Sequence, residues 1–344
     1  MRPTSTDEVL DLLEAPSTSA ALGAAFELAL FWMLDRKPLD AASVATTLGI
    51  PAVRCRAWLQ LLRRAGLLEE VKGSYRPSGT ARAAILDRYS QQTWELLAIE
   101  ARERLPALLE LPTSLRAVGP APATPSPEAT DYVARMNADA DQARRFTRML
   151  FELHGPLAEA LAAFVDASGA RRMMDLGGGS GVVAAAFLRR YARLTTIVVD
   201  IPGVCAAGRE LTAGLGFGDR LDFHAADFLR DELPGGFDLI LECDVNVFGA
   251  ELFRKLRGSL APGGRLVIVD QLASATDVAH DTRVHWALGR ALSDNGFTGY
   301  PARVEVRAQI EAAGLRIRSE RSLPPLAGGA RRLWDETVVL EAAP

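Results

Sequence analysis

A chain of 344 residues can bury a large core and, at roughly 150 residues per domain, predicts two domains. Its formal net charge of -4 gives no overall attraction for nucleic acid or an anionic bilayer. Three scattered cysteines, Cys55, Cys205 and Cys243, fit reduced thiols rather than a disulfide frame or a zinc site, so cytoplasmic residence is expected.

Residues 1 to about 115 read as mostly helical. The start, Met1 to Glu8, has no signal-peptide architecture. The longest apolar stretch, Ala20 to Leu34, is interrupted by Glu27 and is too short to span a membrane. Leu39 to Ala45 leads through Leu48-Gly49-Ile50-Pro51 into Val53 to Leu62, a helix-turn-helix-like unit, and Val71 to Arg76 makes a wing-like hairpin. The pattern invites a DNA-binding reading with Arg54, Arg56, Arg63 and Arg64 on a recognition helix. Residues 1 to 120 nevertheless hold 14 basic against 14 acidic side chains, without the basic excess of a phosphate-reading face, so no nucleic acid partner is expected.

From Pro112 to Pro127 the chain is rich in proline and small residues and reads as a loop or linker. A helical connector follows from about Thr130 to Ala167. Arg171 to Leu176 then reads as a buried strand running into Gly177-Gly178-Gly179-Ser180-Gly181, with an apolar-periodic helix from Val182 to Arg190. Four glycines in five positions let a ligand approach the main chain without meeting a Cβ. The next strand, Leu194 to Val199, closes on Asp200, 23 residues beyond Gly177 and near the roughly 20 expected for a carboxylate that grips a ribose hydroxyl pair.

The spacing G-x-G-x-G with a leading Asp175 differs from the dinucleotide fingerprint, and no Gly-Lys-Ser/Thr follows as in a Walker loop. After the short strand Leu221 to His224 comes Asp227-Phe228, an acid beside an aromatic, suited to an adenine amine and ring face. Three acids at the tips of successive parallel strands point to S-adenosylmethionine. Further strands are expected near 237, 265, 315 and 335, alternating with helices up to the last pair.

On these motifs, together with Val199 to Val204 and Leu260 to Asp270, the chain resembles the class I S-adenosylmethionine-dependent methyltransferases. Within them it is similar to the small-molecule O-methyltransferases of the plant caffeate and bacterial polyketide-tailoring type. The resemblance covers nearly the whole chain. It implies an α/β fold: a Rossmann-like domain with a seven-stranded, mostly parallel sheet, behind an all-helical, winged-helix-like dimerisation domain. The expected boundaries are 1–115 for that domain, 116–154 for the linker and connecting helix, and 155–344 for the methyltransferase domain. The resemblance also implies a homodimer acting on a hydroxylated, aromatic or polyketide-like metabolite in secondary metabolism. It assigns Gly177 and Gly179 to the methionine part, Asp200 to the ribose, and Asp227 with Phe228 to the adenine.

At the catalytic positions the chain departs from the family's pattern. Where a histidine base of a His-Asp-Trp segment would stand, the triplet is Asn246-Val247-Phe248, and an amide cannot accept a proton at neutral pH. The usual first glutamate corresponds to Asp270, and the second to Tyr300. Three explanations compete: an easily methylated acceptor anchored by Asn246; a substitute base among His154, His280, His285 and Asp270; or methylation at carbon. A relative that keeps the cofactor for a non-methylating reaction, hydroxylation or a pericyclic step, is a further alternative. No two histidines share a metal-binding i, i+4 spacing, so no metal is expected. The substrate wall is expected from the helix at about Asp277 to Asp294 and the connector, with Phe146, Met149, Phe248, Trp286 and Phe297 as aromatic or apolar clamps and Arg290, Asp294 and Asn295 as polar candidates.

Overall fold

The computed structural model describes residues 3–117, 132–273, 288–289, 291–292, 301–326, 334 and 337–344, and the chain divides into two compact units, Met1–Leu111 and Pro112–Pro344. Among the described residues no single helix is long and apolar enough to cross a membrane.

The N-terminal unit comprises helices α1 (Thr6–Glu27), α2 (Leu30–Arg36), α3 (Ala41–Leu48), α4 (Ala52–Arg64) and α5 (Gln91–Leu109) and one hairpin, β1 (Leu68–Val71) with β2 (Ser74–Pro77). Asp40 caps α3 by accepting the Ser43 N–H at 2.7 Å, and Gly49 ends it at φ 64°. The wing turns through Lys72 and Gly73 at φ 52° and 79°, the mirror-image turn that matches strand twist. Phe31, Leu34, Leu59 and Leu62 fill the core. Phe26 stacks on Trp94 with ring centroids 4.7 Å apart, while the Trp58 and Trp94 indoles donate to the carbonyls of Ala21 and Ile85. On the wing, Arg76 pairs with Glu69, and Arg63 lies 3.8 Å from Glu70.

The stretch expected as a loop from Pro112 starts in a helical turn, Leu111–Ser114, and residues 118–131 lie outside the described ones. The connector, expected as one helix, is two: α6 (Tyr132–Ala138) and α7 (Ala140–Phe164). Asp139 causes the break, because its extended backbone lets its carboxylate accept the Asp141 and Gln142 N–H groups at 2.9 and 3.1 Å.

Seven strands form the sheet: β3 (Arg172–Leu176), β4 (Thr195–Asp200), β5 (Leu221–Ala225), β6 (Phe237–Cys243), β7 (Leu260–Gln271), β8 (Arg316–Ser322) and β9 (Thr337–Ala343). Their order is β5-β4-β3-β6-β7-β9-β8, parallel from β5 to β7, with β9 antiparallel to both β7 and β8. This is the seven-stranded, mostly parallel sheet with a terminal hairpin that the sequence predicts. Because both faces are covered, the central strands alternate between two apolar clusters. Met173, Leu239 and Val267 pack against α7 and α8 (Val182–Arg190) through Leu157, Leu161 and Phe187. On the other face Met174, Ile240 and Ile268 pack against Leu252, Phe253 and Leu256 of α10 (Ala250–Ser259) and Val306 and Ile310 of α11 (Arg303–Ala312), α9 being Pro202–Thr212. The carboxyl ends of β3, β4, β5, β6 and β7 therefore lie along one edge, where open parallel sheets bind ligands.

Candidate active site

At the tip of β3 the Gly177 N–H donates to the Val199 carbonyl at 2.8 Å, carrying the ladder one residue past the strand before the chain turns. Gly177 has φ 63°, and a Cβ there would meet Val245 Cγ2 at 2.8 Å. At Gly178 a Cβ would lie 2.6 Å from Asp175 Oδ2. The loop is thus laid tightly over Asp175, which is wholly buried. Asp175 Oδ2 accepts the Ala184 N–H at 3.1 Å from the first turn of α8, and Oδ1 has no hydrogen-bond partner. Burial pushes the Asp175 carboxyl up to about 7, opposed by the Ala184 N–H and helped by the charge of Asp200.

Asp200, at the tip of β4, binds the same loop. Its Oδ2 accepts the Gly179 N–H at 3.0 Å and its Oδ1 the Ile201 N–H at 2.7 Å. Burial pushes it up to about 6 against those two bonds. A carboxylate oxygen carries two lone pairs, so each oxygen keeps one for a hydroxyl donor. Beyond β5, the Ala226 N–H donates to the Asp200 carbonyl at 2.9 Å, which seats the Asp227-Phe228 turn beside Asp200. Asp227 Oδ1 accepts the Leu229 N–H at 3.0 Å, and Lys255 ties the turn to α10 by donating to the Phe228 and Asp231 carbonyls at 2.9 and 2.6 Å. The predicted cofactor residues Asp175, Gly177, Gly179, Asp200, Asp227 and Phe228 therefore occupy one continuous stretch of the sheet edge.

The three candidate catalytic residues join in a second group through one that the sequence reading missed, Asp244. His154 Nε2 of α7 lies 3.2 Å from Asp244 Oδ2, and its Nδ1 lies 3.0 Å from the Leu150 carbonyl. The Asn246 side-chain amide donates to Asp244 Oδ1 and to the Asp244 carbonyl, each at 3.2 Å. The Asn246 backbone N–H donates to Asp270 Oδ2 at 3.3 Å, and Asp270 Oδ1 accepts the Gln271 N–H at 2.7 Å. Asp244 and Asn246 both sit at positive φ, 56° and 59°, a conformation in which Asp and Asn are enriched. Trp334 packs against the His154 ring with centroids 4.7 Å apart.

Glu242 was also missed. It is fully buried at the end of β6, and neither carboxyl oxygen has a hydrogen-bond partner. Burial, with Asp270 and Asp244 adding, pushes it well above the usual carboxylate range and so favours its neutral form. Cys243 beside it is likewise pushed up, by burial first, and stays a thiol rather than a nucleophilic thiolate. The segment Glu242-Cys243-Asp244 carries two acids at a strand end, and that was the signal available in the sequence.

Of the expected substrate residues, Phe146 packs with Met136, Ala143, Val204 and Ile201, next to Asp200 in the chain, and meets Tyr132 edge-on at 5.7 Å. Met149 is buried on α7, and Phe248 is half-buried against the cluster under α10. Arg290 and Asn295 lie outside the described residues, as do His280, His285, Asp294, Trp286, Phe297 and Tyr300 and most of the expected helix from Asp277.

Bare loop amides and a buried acid at the next strand tip fit an adenosyl ligand. Asp200, pushed up only to about 6, also discriminates by charge, since its carboxylate would repel a pyrophosphate and attract a sulfonium.

A model of the O-methyltransferase domain matches residues 129–311. The 3-hydroxy-5-methyl-1-naphthoate 3-O-methyltransferase of Streptomyces sahachiroi is 31% identical over 266 residues, 76% of this chain and 76% of its own. The N,N-dimethyltransferase OxyT of Streptomyces rimosus is 28% identical over 325 residues, 93% of each chain. The solved structure of PigF with SAH matches with a TM-score of 0.79 at 21% identity, over 99% of this chain and 100% of that one.

Proposed function

The chain belongs to the O-methyltransferase family of S-adenosylmethionine-dependent enzymes, and on that premise we propose that it methylates a hydroxyl of a small aromatic or polyketide-like metabolite in secondary metabolism. The observation that carries the proposal is the pairing of Asp244 and Asn246, just past the end of β6, with His154 of α7 next to the glycine loop, with Val245 against Gly177. When bound, the cofactor supplies an electrophilic methyl group on a sulfonium. The chain's part is to hold it, orient the acceptor and exclude water.

In this reading Gly177, Gly179, Asp175 and Asp200 hold the methionine and ribose parts, and Asp227 with Phe228 the adenine. Asn246 fixes the acceptor hydroxyl without taking its proton, because an amide has no basic lone pair at neutral pH. Asp270 and His154 are the groups placed to receive or relay that proton, and Phe248 and Met149 supply apolar surface. Rate then comes mainly from alignment, with a smaller share from proton transfer than the 10² to 10⁴ of a dedicated base.

A second reading has a specific observation behind it: OxyT is named for methylation at nitrogen, and a neutral amine needs no base before it is alkylated. Incubating the enzyme with naphthoates that carry both a hydroxyl and an amino group, and with cofactor carrying a ¹³C-methyl group, distinguishes these. An oxygen-bound methyl resonance in the product is expected. A nitrogen- or carbon-bound methyl overturns the choice of acceptor atom, and an unlabelled, altered product overturns methyl transfer itself.

The same proposal includes a cytoplasmic homodimer built through the N-terminal unit. Its support is the exposed apolar side chains Leu10 and Leu13 on α1, the latter 73% exposed, and Leu109 at the end of α5.

A further inference from the structure

Asp244 is the shared partner of two side chains that come from distant parts of the chain, and neither of them offers it a free choice of geometry. Asn246 Nδ2 faces two acceptors, the Asp244 carbonyl and Oδ1, so the amide can sit only with its NH₂ group toward Asp244. That leaves the Asn246 carbonyl oxygen, on an exposed residue, as the atom available to accept a hydroxyl hydrogen from an incoming molecule. On its other side Asp244 Oδ2 engages His154 Nε2, while the Leu150 carbonyl engages Nδ1. Both ring nitrogens face an acceptor, so the ring is held between Asp244 and the Leu150 carbonyl of α7, with the tautomer setting which nitrogen donates.

The backbone supports the same arrangement. The Asp244 N–H donates to the Val269 carbonyl at 2.9 Å, the last rung beside β7, and the chain then passes through positive φ at Asp244 and at Asn246. Two non-glycine residues in that region within three positions need support from their surroundings, and the bonds with His154, Asn246 and Asp270 hold the turn in place.

We propose that Asp244 is a positioning residue for the acceptor: it locks the Asn246 amide so that the carbonyl oxygen points to the acceptor hydroxyl, and it braces that lock through His154 against α7. The inference rests on the reading of Asn246 as the acceptor's anchor. It gives Asp244 no contact with the cofactor, whose loop is held by Asp175 and Asp200 instead. An acceptor that meets a fixed carbonyl oxygen must present a hydrogen-bond donor there, which selects free hydroxyls against already methylated ones.

The test uses the full chain loaded with S-adenosylhomocysteine and 3-hydroxy-2-naphthoate as the probe, its binding followed by its own fluorescence. Asp244→Asn keeps a residue suited to positive φ and removes the charge that holds both partners, so the fold is expected to survive, as a thermal melt would register. Expected results are about tenfold weaker probe binding in Asp244→Asn and in Asn246→Ala, and no further loss when the two are combined. Calorimetric affinity for S-adenosylhomocysteine stays unchanged in all three. His154→Gln, which still offers a donor, is expected to retain most of the probe affinity. Equal probe affinity in the wild type and Asp244→Asn overturns the positioning role, and so does an additive loss in the double variant. Absence of saturable probe binding by the wild type overturns the acceptor reading beneath it.

Discussion

Substituting Gly178 by alanine tests how tightly the glycine loop is laid over β3. The added Cβ would lie 2.6 Å from Asp175 Oδ2 and 2.9 Å from Oδ1, below any distance that real Cβ atoms adopt. Asp175 is wholly buried, and its Oδ2 already holds the Ala184 N–H, so the carboxylate cannot swing aside without giving up that bond. If the loop lifts instead, the Gly179 N–H leaves Asp200 Oδ2. Either route forfeits a hydrogen bond to a charged or partly charged group, worth about 1.5–3 kcal/mol. Borne by binding, that is about 10- to 150-fold in affinity for S-adenosylhomocysteine, at about 1.4 kcal/mol per decade. Calorimetric titration reads the binding share and a thermal melt the folding share. Gly214→Ala, where an added Cβ meets nothing within 4 Å, is the matched control and is expected to match the wild type. Gly178→Ala with wild-type affinity and wild-type melting would refute the reasoning.

Asp200 makes cofactor affinity depend on pH. Its carboxyl is pushed up to about 6 without ligand, and hydroxyl donors favour the ionised form, so binding releases a proton and affinity rises with pH through that value. Titrations across this range should show the slope, and Asp200→Asn should remove its share of it while weakening binding at alkaline pH; a flat profile in the wild type contradicts the assignment. Glu242→Leu is expected to stabilise the fold by about 1–3 kcal/mol, because it replaces a buried acid whose oxygens have no partner. The folded-state value of Glu242 is raised, so the folded chain holds a proton that the unfolded chain releases. Wild-type stability therefore falls as pH rises above the unfolded value of about 4.3, and the gain from Glu242→Leu should grow over the same range in denaturant titrations. A destabilised variant would show that Glu242 has a favourable partner after all.

Much of the cofactor side was legible from sequence, because its chemistry is local. A strand, a glycine run and an acid at the next strand tip are contiguous patterns, and Asp175, Gly177, Gly179 and Asp200 fall together as their spacing implies. The strand positions followed from alternating strand and helix periods, and the seven-stranded, mostly parallel sheet from the family resemblance. The acceptor side was less legible because it depends on register and long-range pairing. His154 and Asp244 are 90 positions apart, and only the packing of α7 over β6 brings them to 3.2 Å. Asp244 itself carries no motif, since its role comes from a positive φ that sequence does not announce. The connector was read as one helix because apolar periodicity runs through Asp139, whose capping bonds override it. Phe146, read from sequence as an aromatic of the connector, packs with Ile201 and Val204 just past β4, a neighbourhood that only the fold reveals.

The central claim is that an adenosyl sulfonium nucleoside is held at the carboxyl edge of the sheet by loop amides and by Asp200. Calorimetric titration of the purified chain with S-adenosylhomocysteine tests it most directly. Saturable binding of one molecule per chain, strongly weakened in Asp200→Ala while that variant stays folded at the titration temperature, is the predicted result. No saturable heat in the wild type, or equal affinity in Asp200→Ala, would contradict it.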